Sequence, residues 1–237
     1  MRRSRHRQRL ANISNGKSKH HDIEPGYYIK SPGLGGLFEK AVARGRICFI
    51  VDATASRQEA WDRAARLQGA MFGEAAATRN LELQLIFYRG IDECQASRWV
   101  SDGQTLARIM SQVTCRAGET QIARALAHAR REHAKQKINA VILISEEVPE
   151  RLYAEARELG VPIFAFQEGN DAAIAKVYCE LAKVTGGAHC EFDASSANKL
   201  RELLRAVATF ATGGIQALEK QSTNAATLLL AQMKRRD

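Results

Sequence analysis

Aromatic residues make up only 6% of this 237-residue chain, and no apolar run approaches the 18 or more residues of a membrane-spanning helix. The basic N-terminus is not followed by an apolar segment of the kind a secretory signal carries. A cytoplasmic protein is therefore expected, with no membrane partner. The five cysteines are Cys48, Cys94, Cys115, Cys179 and Cys190. Their number is odd and no two form a CxxC pair, which speaks against a disulfide framework and against a zinc site. They read as small hydrophobes with reduced thiols. The phosphate-cradling pattern GxxxxGK followed by Ser or Thr is missing. "GLGG" at 33–36 precedes the first expected strand instead of following it, so it is no dinucleotide fingerprint. No Ser/His/Asp arrangement stands out either. Of the six histidines, His128 and His133 fall on the polar side of an expected helix and read as solvated.

Acidic residues are missing from one segment. Residues 1–21 hold Arg2, Arg3, Arg5, Arg7, Arg9, Lys17 and Lys19 and no acid. The rest of the chain has 28 basic and 26 acidic residues, so most of the formal charge of +9 sits on this arm. Such an arm binds nucleic acid or an acidic surface, or it is a solvated tail. No aromatic is interleaved to stack on bases, which favours the tail reading.

What is present is an alternation of apolar runs and helical periods. Residues 1–36 read as a disordered basic arm and lead-in. "ICFIV" (47–51), "LELQLIFY" (81–88), "AVILI" (140–144), "VPIFAF" (161–166) and "AHCEF" (188–192) read as strands, with 94–101 as a short edge strand. Helical spacing covers 57–76, 103–113, 120–134, 149–160, 171–187 and 195–211. Pro149 and Gly160 bracket one of these helices, and Ser195 or Ser196 is a candidate cap for the last. Residues 215–236 read as one more amphipathic helix, more suited to packing on the domain than to serving a partner. Strands alternating with helices imply a mostly parallel sheet covered on both faces. In such sheets ligands bind beyond the carboxyl ends of the strands.

Asp52 stands at one of those ends, in "ICFIVDATASR". A phosphotransferase of the haloacid dehalogenase type wants a second Asp two residues on, and that position is Thr54. A receiver domain wants an acidic pair on its first strand and a lysine near its last, and neither is evident. A hard cation suits the stretch better. Alternation along an extended loop aims Asp52, Thr54 and Ser56 at one point. Mg²⁺ takes oxygen ligands in near-octahedral array and keeps several waters. Hydroxyl ligands leave such an ion under-neutralised, so a further anionic ligand is attracted. The competing reading is a metal-free loop that Asp52 and Thr54 fix by local hydrogen bonds.

Asp-x-Thr-x-Ser at the end of the first strand resembles the metal-ion-dependent adhesion site (MIDAS) of von Willebrand factor A (VWA) domains. "CRAGETQIARAL" resembles the segment that carries their second metal-binding Thr, here Thr120, before a helix. "LGVPIFAF" and "LAKVTGGAHCEFD" extend the likeness over roughly residues 44–212. The resemblance implies an α/β, three-layer Rossmann-like VWA fold with a mostly parallel central sheet and helices on both faces. It implies a VWA-like domain over 37–213 and a C-terminal amphipathic helix over 214–237. Two positions depart from the family. "ILISEEVPE" places Glu146, flanked by Ser145 and Glu147, where the family usually has Asp. Glu119 replaces the glycine before Thr120 and adds a carboxylate beside the site.

The resemblance implies a binding module and not an enzyme. Asp52, Thr54, Ser56, Thr120 and Glu146 would hold Mg²⁺ or Mn²⁺, with Glu119 and Ser145 as modulators, and a protein partner's carboxylate would complete the shell. Many cytoplasmic bacterial VWA proteins work beside ATPases or chaperones, which is the partner class implied. The alternatives are nucleic-acid association through Arg2, Arg3, Arg5, Arg7 and Arg9 on a metal-free scaffold, and, less favoured, a metal-dependent hydrolase.

Overall fold

Among the described residues, six strands form a single sheet in the order β3-β2-β1-β4-β5-β6. The computed structural model describes residues 44–55, 80–147, 152–193 and 197–234, all within one unit, Val42–Asp237. The basic arm, Ser56, the helix expected at 57–76, Pro149 and the caps Ser195 and Ser196 lie outside the described residues.

The central strands are β1 (Gly45–Asp52), β2 (Leu81–Arg89), β4 (Ala140–Ser145) and β5 (Ile163–Glu168). They run parallel, Phe49 standing beside Leu85 on one side and Ile142 on the other. β6 (Ala188–Phe192) closes one edge in the same direction. β3 (Glu93–Ala96) closes the other edge, antiparallel to β2. β3 is shorter than the strand expected at 94–101; beyond it Ser97 N–H still donates to the Leu85 carbonyl, and Val100 bridges to Leu83.

Every residue of β1 is buried, because helices cover both faces. Ile47, Phe49 and Val51 face a core shared with α1 (Gly103–Ser111), α5 (Ala197–Glu219) and α6 (Asn224–Met233). Cys48 and Ile50 face the opposite core, shared with α2 (Ile122–Lys135), α3 (Tyr153–Leu159) and α4 (Ala172–Thr185). The strand period of two thus feeds two cores from one apolar run. Asp171 caps α4 by accepting from the N–H groups of Ala173 and Ile174. Gly186 ends the helix in the left-handed region at φ 74°, where glycine carries no steric penalty.

The C-terminal region departs from the expected single helix over 215–236. α5 runs on through Gly213 and breaks only at Gly214, at φ 69°. The chain then turns, and Thr223 caps a separate α6 by accepting from Ala226 N–H. Ala225, Ala226, Leu229 and Met233 of α6 are buried in the core. The two α2 histidines are also less solvated than their spacing suggests. His128 is half-buried, and His133 Nδ1 accepts from Ile138 N–H at 3.0 Å.

Candidate functional site

The parallel neighbours β1 and β4 end in the same local device. Asp52 Oδ1 accepts from Thr54 N–H at 2.8 Å. Ser145 Oγ accepts from Glu147 N–H at 3.1 Å. Each is a side chain bonding the backbone two residues on, which turns the chain sharply at the strand end. Both anchors are fully buried, Asp52 at 1% exposure and Ser145 at 0%. The single proton of Ser145 faces the Glu147 carbonyl at 3.0 Å and Asp52 Oδ2 at 3.4 Å. Tyr88, at the end of β2, points its hydroxyl to Ser145 Oγ at 3.4 Å.

A loop between α1 and α2 brings Thr120 to this cluster. Arg116 N–H donates to the Ala53 carbonyl, and Glu119 N–H to the Gly90 carbonyl, both at 3.0 Å. The side-chain amide of Gln121 donates to the carbonyls of Arg89 and Gly90. Gly118 lies so close that a Cβ there would stand 2.0 Å from the Gly90 carbonyl oxygen. Only glycine lets the two backbones approach this far. The loop is thereby stitched to the ends of β1 and β2, and Thr120 Oγ1 donates to Glu147 Oε2 at 2.8 Å.

The structure therefore joins Asp52, Thr54 and Ser145 directly, and joins Thr120 to them through Glu147. Glu146, the residue expected to meet an ion, is half-buried one position earlier. Glu119 is exposed at the rim. Ser56 lies outside the described residues. Sequence reasoning missed Glu147 as the carboxylate that reaches Thr120. It also missed Tyr178, whose hydroxyl donates to the Glu147 carbonyl at 3.2 Å. A readable signal was present for Glu147: Asp52-Ala-Thr54 and Ser145-Glu-Glu147 share the spacing of a side chain that caps the amide two residues on.

The rim is charged. Arg89 pairs with Glu93 at 2.6 Å, Arg116 reaches Glu93 at 3.3 Å, and Arg124 pairs with Asp92 at 2.7 Å. The Arg89 side chain beside Glu93 holds that carboxyl below its ordinary range. At the tip of the same β2–β3 turn Ile91 is 73% exposed, the most exposed large hydrophobic among the described residues.

The donors gathered at this end of the sheet are hard oxygens, the carboxylates of Asp52 and Glu147 and the hydroxyls of Ser145, Thr120 and Tyr88 among them. That set fits Mg²⁺ or Mn²⁺ and not a softer metal. Among the described residues, no group of three or more His, Cys, Asp or Glu side chains gathers to hold a metal by itself, so a cation here would depend on hydroxyls.

No protein-family model matches the chain, and no curated protein matches it. Solved structures do. One similar structure is a von Willebrand factor type A protein from Catenulispora acidiphila, with TM-score 0.54 and 15% identity over 72% of this chain and 43% of that one. Another is the pilus adhesin SpaC from Lactobacillus rhamnosus GG, with TM-score 0.55 and 12% identity over 73% of this chain and 31% of that one. A third is the SpRpn10 VWA domain, with TM-score 0.50 and 11% identity over 67% of this chain and 95% of that one. The chain thus spans less than half of the first two proteins and nearly all of an isolated VWA domain. Together with the six-stranded, mostly parallel sheet, these likenesses establish the architecture: this chain has the von Willebrand factor A fold.

Proposed function

We propose that the chain is a protein-interaction module and not an enzyme, whose carboxyl-end loops hold a divalent cation and engage a partner's carboxylate. One observation supports this above the others: Asp52, Ser145, Glu147 and Thr120 form a continuous cluster of oxygen donors where parallel strands end. Asp52, Thr54 and Thr120 would hold Mg²⁺ or Mn²⁺, and Ser56 would extend the set. When bound, the cation would supply a Lewis-acidic coordination position for an anionic ligand. The chain's own residues do the rest. Ser145 and Thr54 orient Asp52, and Glu147 occupies Thr120 until a competing carboxylate takes its place. Ile91, exposed at the tip of the β2–β3 turn next to the Arg124–Asp92 ion pair, offers an apolar contact to a partner. A chaperone or ATPase component is the partner class expected, in the cytoplasm.

Thermal unfolding with Mg²⁺, Mn²⁺ and EDTA tests the reading on the wild type and on Thr120→Ala. A midpoint that rises with metal only in the wild type supports it. No rise in the wild type overturns the cation. The second reading, nucleic-acid binding on a metal-free scaffold, rests on the seven cations of residues 1–21. It requires strongly salt-dependent binding that disappears when residues 2–19 are deleted.

A further inference from the structure

On the far edge of the sheet, a groove of about 610 Å³ runs between α4, β6 and α6. Cys179, Lys183, His189, Leu228 and Gln232 are among its lining residues. Cys179 is exposed, and its Sγ lies 3.2 Å from His189 Nδ1. His189 Nε2 in turn lies 3.0 Å from Gln167 Oε1.

The far end of this chain of contacts decides which nitrogen carries the proton. Gln167 Nε2 donates to the Asp171 carbonyl at 2.9 Å, so Gln167 Oε1 faces the ring and can only accept. His189 Nε2 is therefore the protonated nitrogen, and Nδ1 presents its lone pair to the thiol. The Gln232 side-chain amide pins the His189 backbone through its N–H and carbonyl, and the Tyr178 ring lies tilted against the imidazole at 6.0 Å. A nucleophile, a base in contact with it and a third group orienting the base form the geometry of an activated thiol.

We propose that Cys179 is a nucleophilic thiol that exchanges with small anionic disulfides of the glutathione class, with His189 as its base and Lys183 as the partner of the disulfide's carboxylate. The Cys179 proton passes to His189 Nδ1 as the sulfur attacks one sulfur of the incoming disulfide. A new S–S bond forms while the old one breaks, and the leaving thiolate takes the proton from His189. The products are a mixed disulfide on Cys179 and one free thiol, so the incoming disulfide is the only co-reactant.

The surroundings explain why the base is needed. Burial, helped by Glu191 and Glu180, holds the thiol above its ordinary pKa. Burial holds His189 below its own, against the pull of Glu191. The resting pair is thus neutral, and the thiolate forms only as the proton moves. The adjacent Cys190 faces the opposite core, and burial pushes its thiol up to about 12. It stays out of the exchange. The inference does not rest on the cation reading, since none of these side chains is a proposed ligand.

The test incubates the full chain with glutathione disulfide and maps adducts over time by peptide mass spectrometry. Cys179 is expected to react faster in the folded chain than in the same chain unfolded in urea, whereas Cys94 and Cys115 react more slowly when folded. His189→Asn should slow Cys179 roughly a hundredfold and leave Cys94 and Cys115 at their wild-type rates, an outcome that general loosening cannot produce. Lys183→Met should slow glutathione disulfide and leave neutral hydroxyethyl disulfide unaffected. Cys179 reacting no faster folded than unfolded overturns the proposal. So does a rate indifferent to His189→Asn, and equal effects of Lys183→Met on both disulfides remove the anion recognition. Should His189→Asn fail to fold, the folded-versus-unfolded comparison on the unmutated chain decides alone.

Discussion

β1 buries a charge at each of its ends, and the two are stabilised by different means. At its start Arg46, 4% exposed, lies with its guanidinium 3.6 Å from the Trp99 ring centroid. Its Nε stands 3.3 Å from Glu82 Oε2, and its Nη1 donates to the Gln136 carbonyl. Trp99 also donates its indole N–H to Glu132 at 2.9 Å. Opposite charges and an aromatic face meet there, as suits a guanidinium taken out of water. At the other end Asp52 meets the Thr54 amide and the Ser145 hydroxyl, and Glu147 meets the Thr120 hydroxyl. One end of the strand is thus closed by counter-charges and an aromatic face, and the other opens onto an amide and hydroxyls of the strand-end loops.

The contrast is sharpest under substitution at the closed end. Arg46→Ala should cost about 3 kcal/mol in urea unfolding, because Glu82 loses a buried partner and Trp99 loses the cation over its ring. A loss below about 1 kcal/mol would reduce this cluster to an ordinary surface pair. At the open end the large effect should come from metal. Saturating Mg²⁺ at a hundredfold excess over Kd should stabilise the wild type by about 2.7 kcal/mol. Asp52→Asn should abolish that gain, yet cost less than about 1 kcal/mol in EDTA, since Asn keeps the acceptor that Thr54 uses. If Asp52→Asn is as damaging in EDTA as Arg46→Ala, both ends are structural and the contrast fails.

Two smaller effects refine the comparison. Glu147→Gln should cost no more than about 0.5 kcal/mol of stability but change the response to Mg²⁺, as read from the same thermal shifts. An unchanged response would make Glu147 only a latch for Thr120. The last concerns pH. Lys135 and the Trp99 indole hold the Glu132 carboxyl below its ordinary range. A group depressed in the folded chain contributes stability above its unfolded pKa, and that contribution is lost as pH falls through the lowered folded value. Trp99→Phe should therefore flatten the acid limb of the stability–pH curve, measured by urea unfolding from neutral to acid pH. An unaltered limb would mean that Lys135 alone sets the shift.

Much of this architecture is legible without coordinates. The centres of β1, β4 and β5 are continuous apolar runs, as strands covered on both faces must be, and Asp171 and Gly186 mark the limits of α4 in plain chemistry. The choice of Glu147 over Glu146 is harder. The two residues are chemically identical, and only the turn made by the Ser145 hydroxyl decides which one meets Thr120. The break at Gly214 was hidden because apolar spacing resumes at once in Ile215 and Leu218, while the start of α6 is set by a single hydroxyl, Thr223. Cys179 and His189 sit ten positions apart on different elements. No local period links them, and only the return of the chain from α4 into β6 brings the thiol to the ring.

β6 is the last strand of the sheet, and a last strand presents one row of N–H and C=O groups with no strand beyond it. At His189 both groups are taken by one side chain: Gln232 Oε1 accepts from the N–H at 2.8 Å, and Gln232 Nε2 donates to the carbonyl at 2.6 Å. A carboxamide carries a donor and an acceptor side by side, as a peptide does, so Gln232 stands in for one residue of an absent neighbour. A strand from another molecule has to displace that amide, and the ten-residue helix carrying it, before it can pair at this position. α6 therefore covers the sheet edge at the position where its side chain imitates the backbone that a strand from another chain would bring.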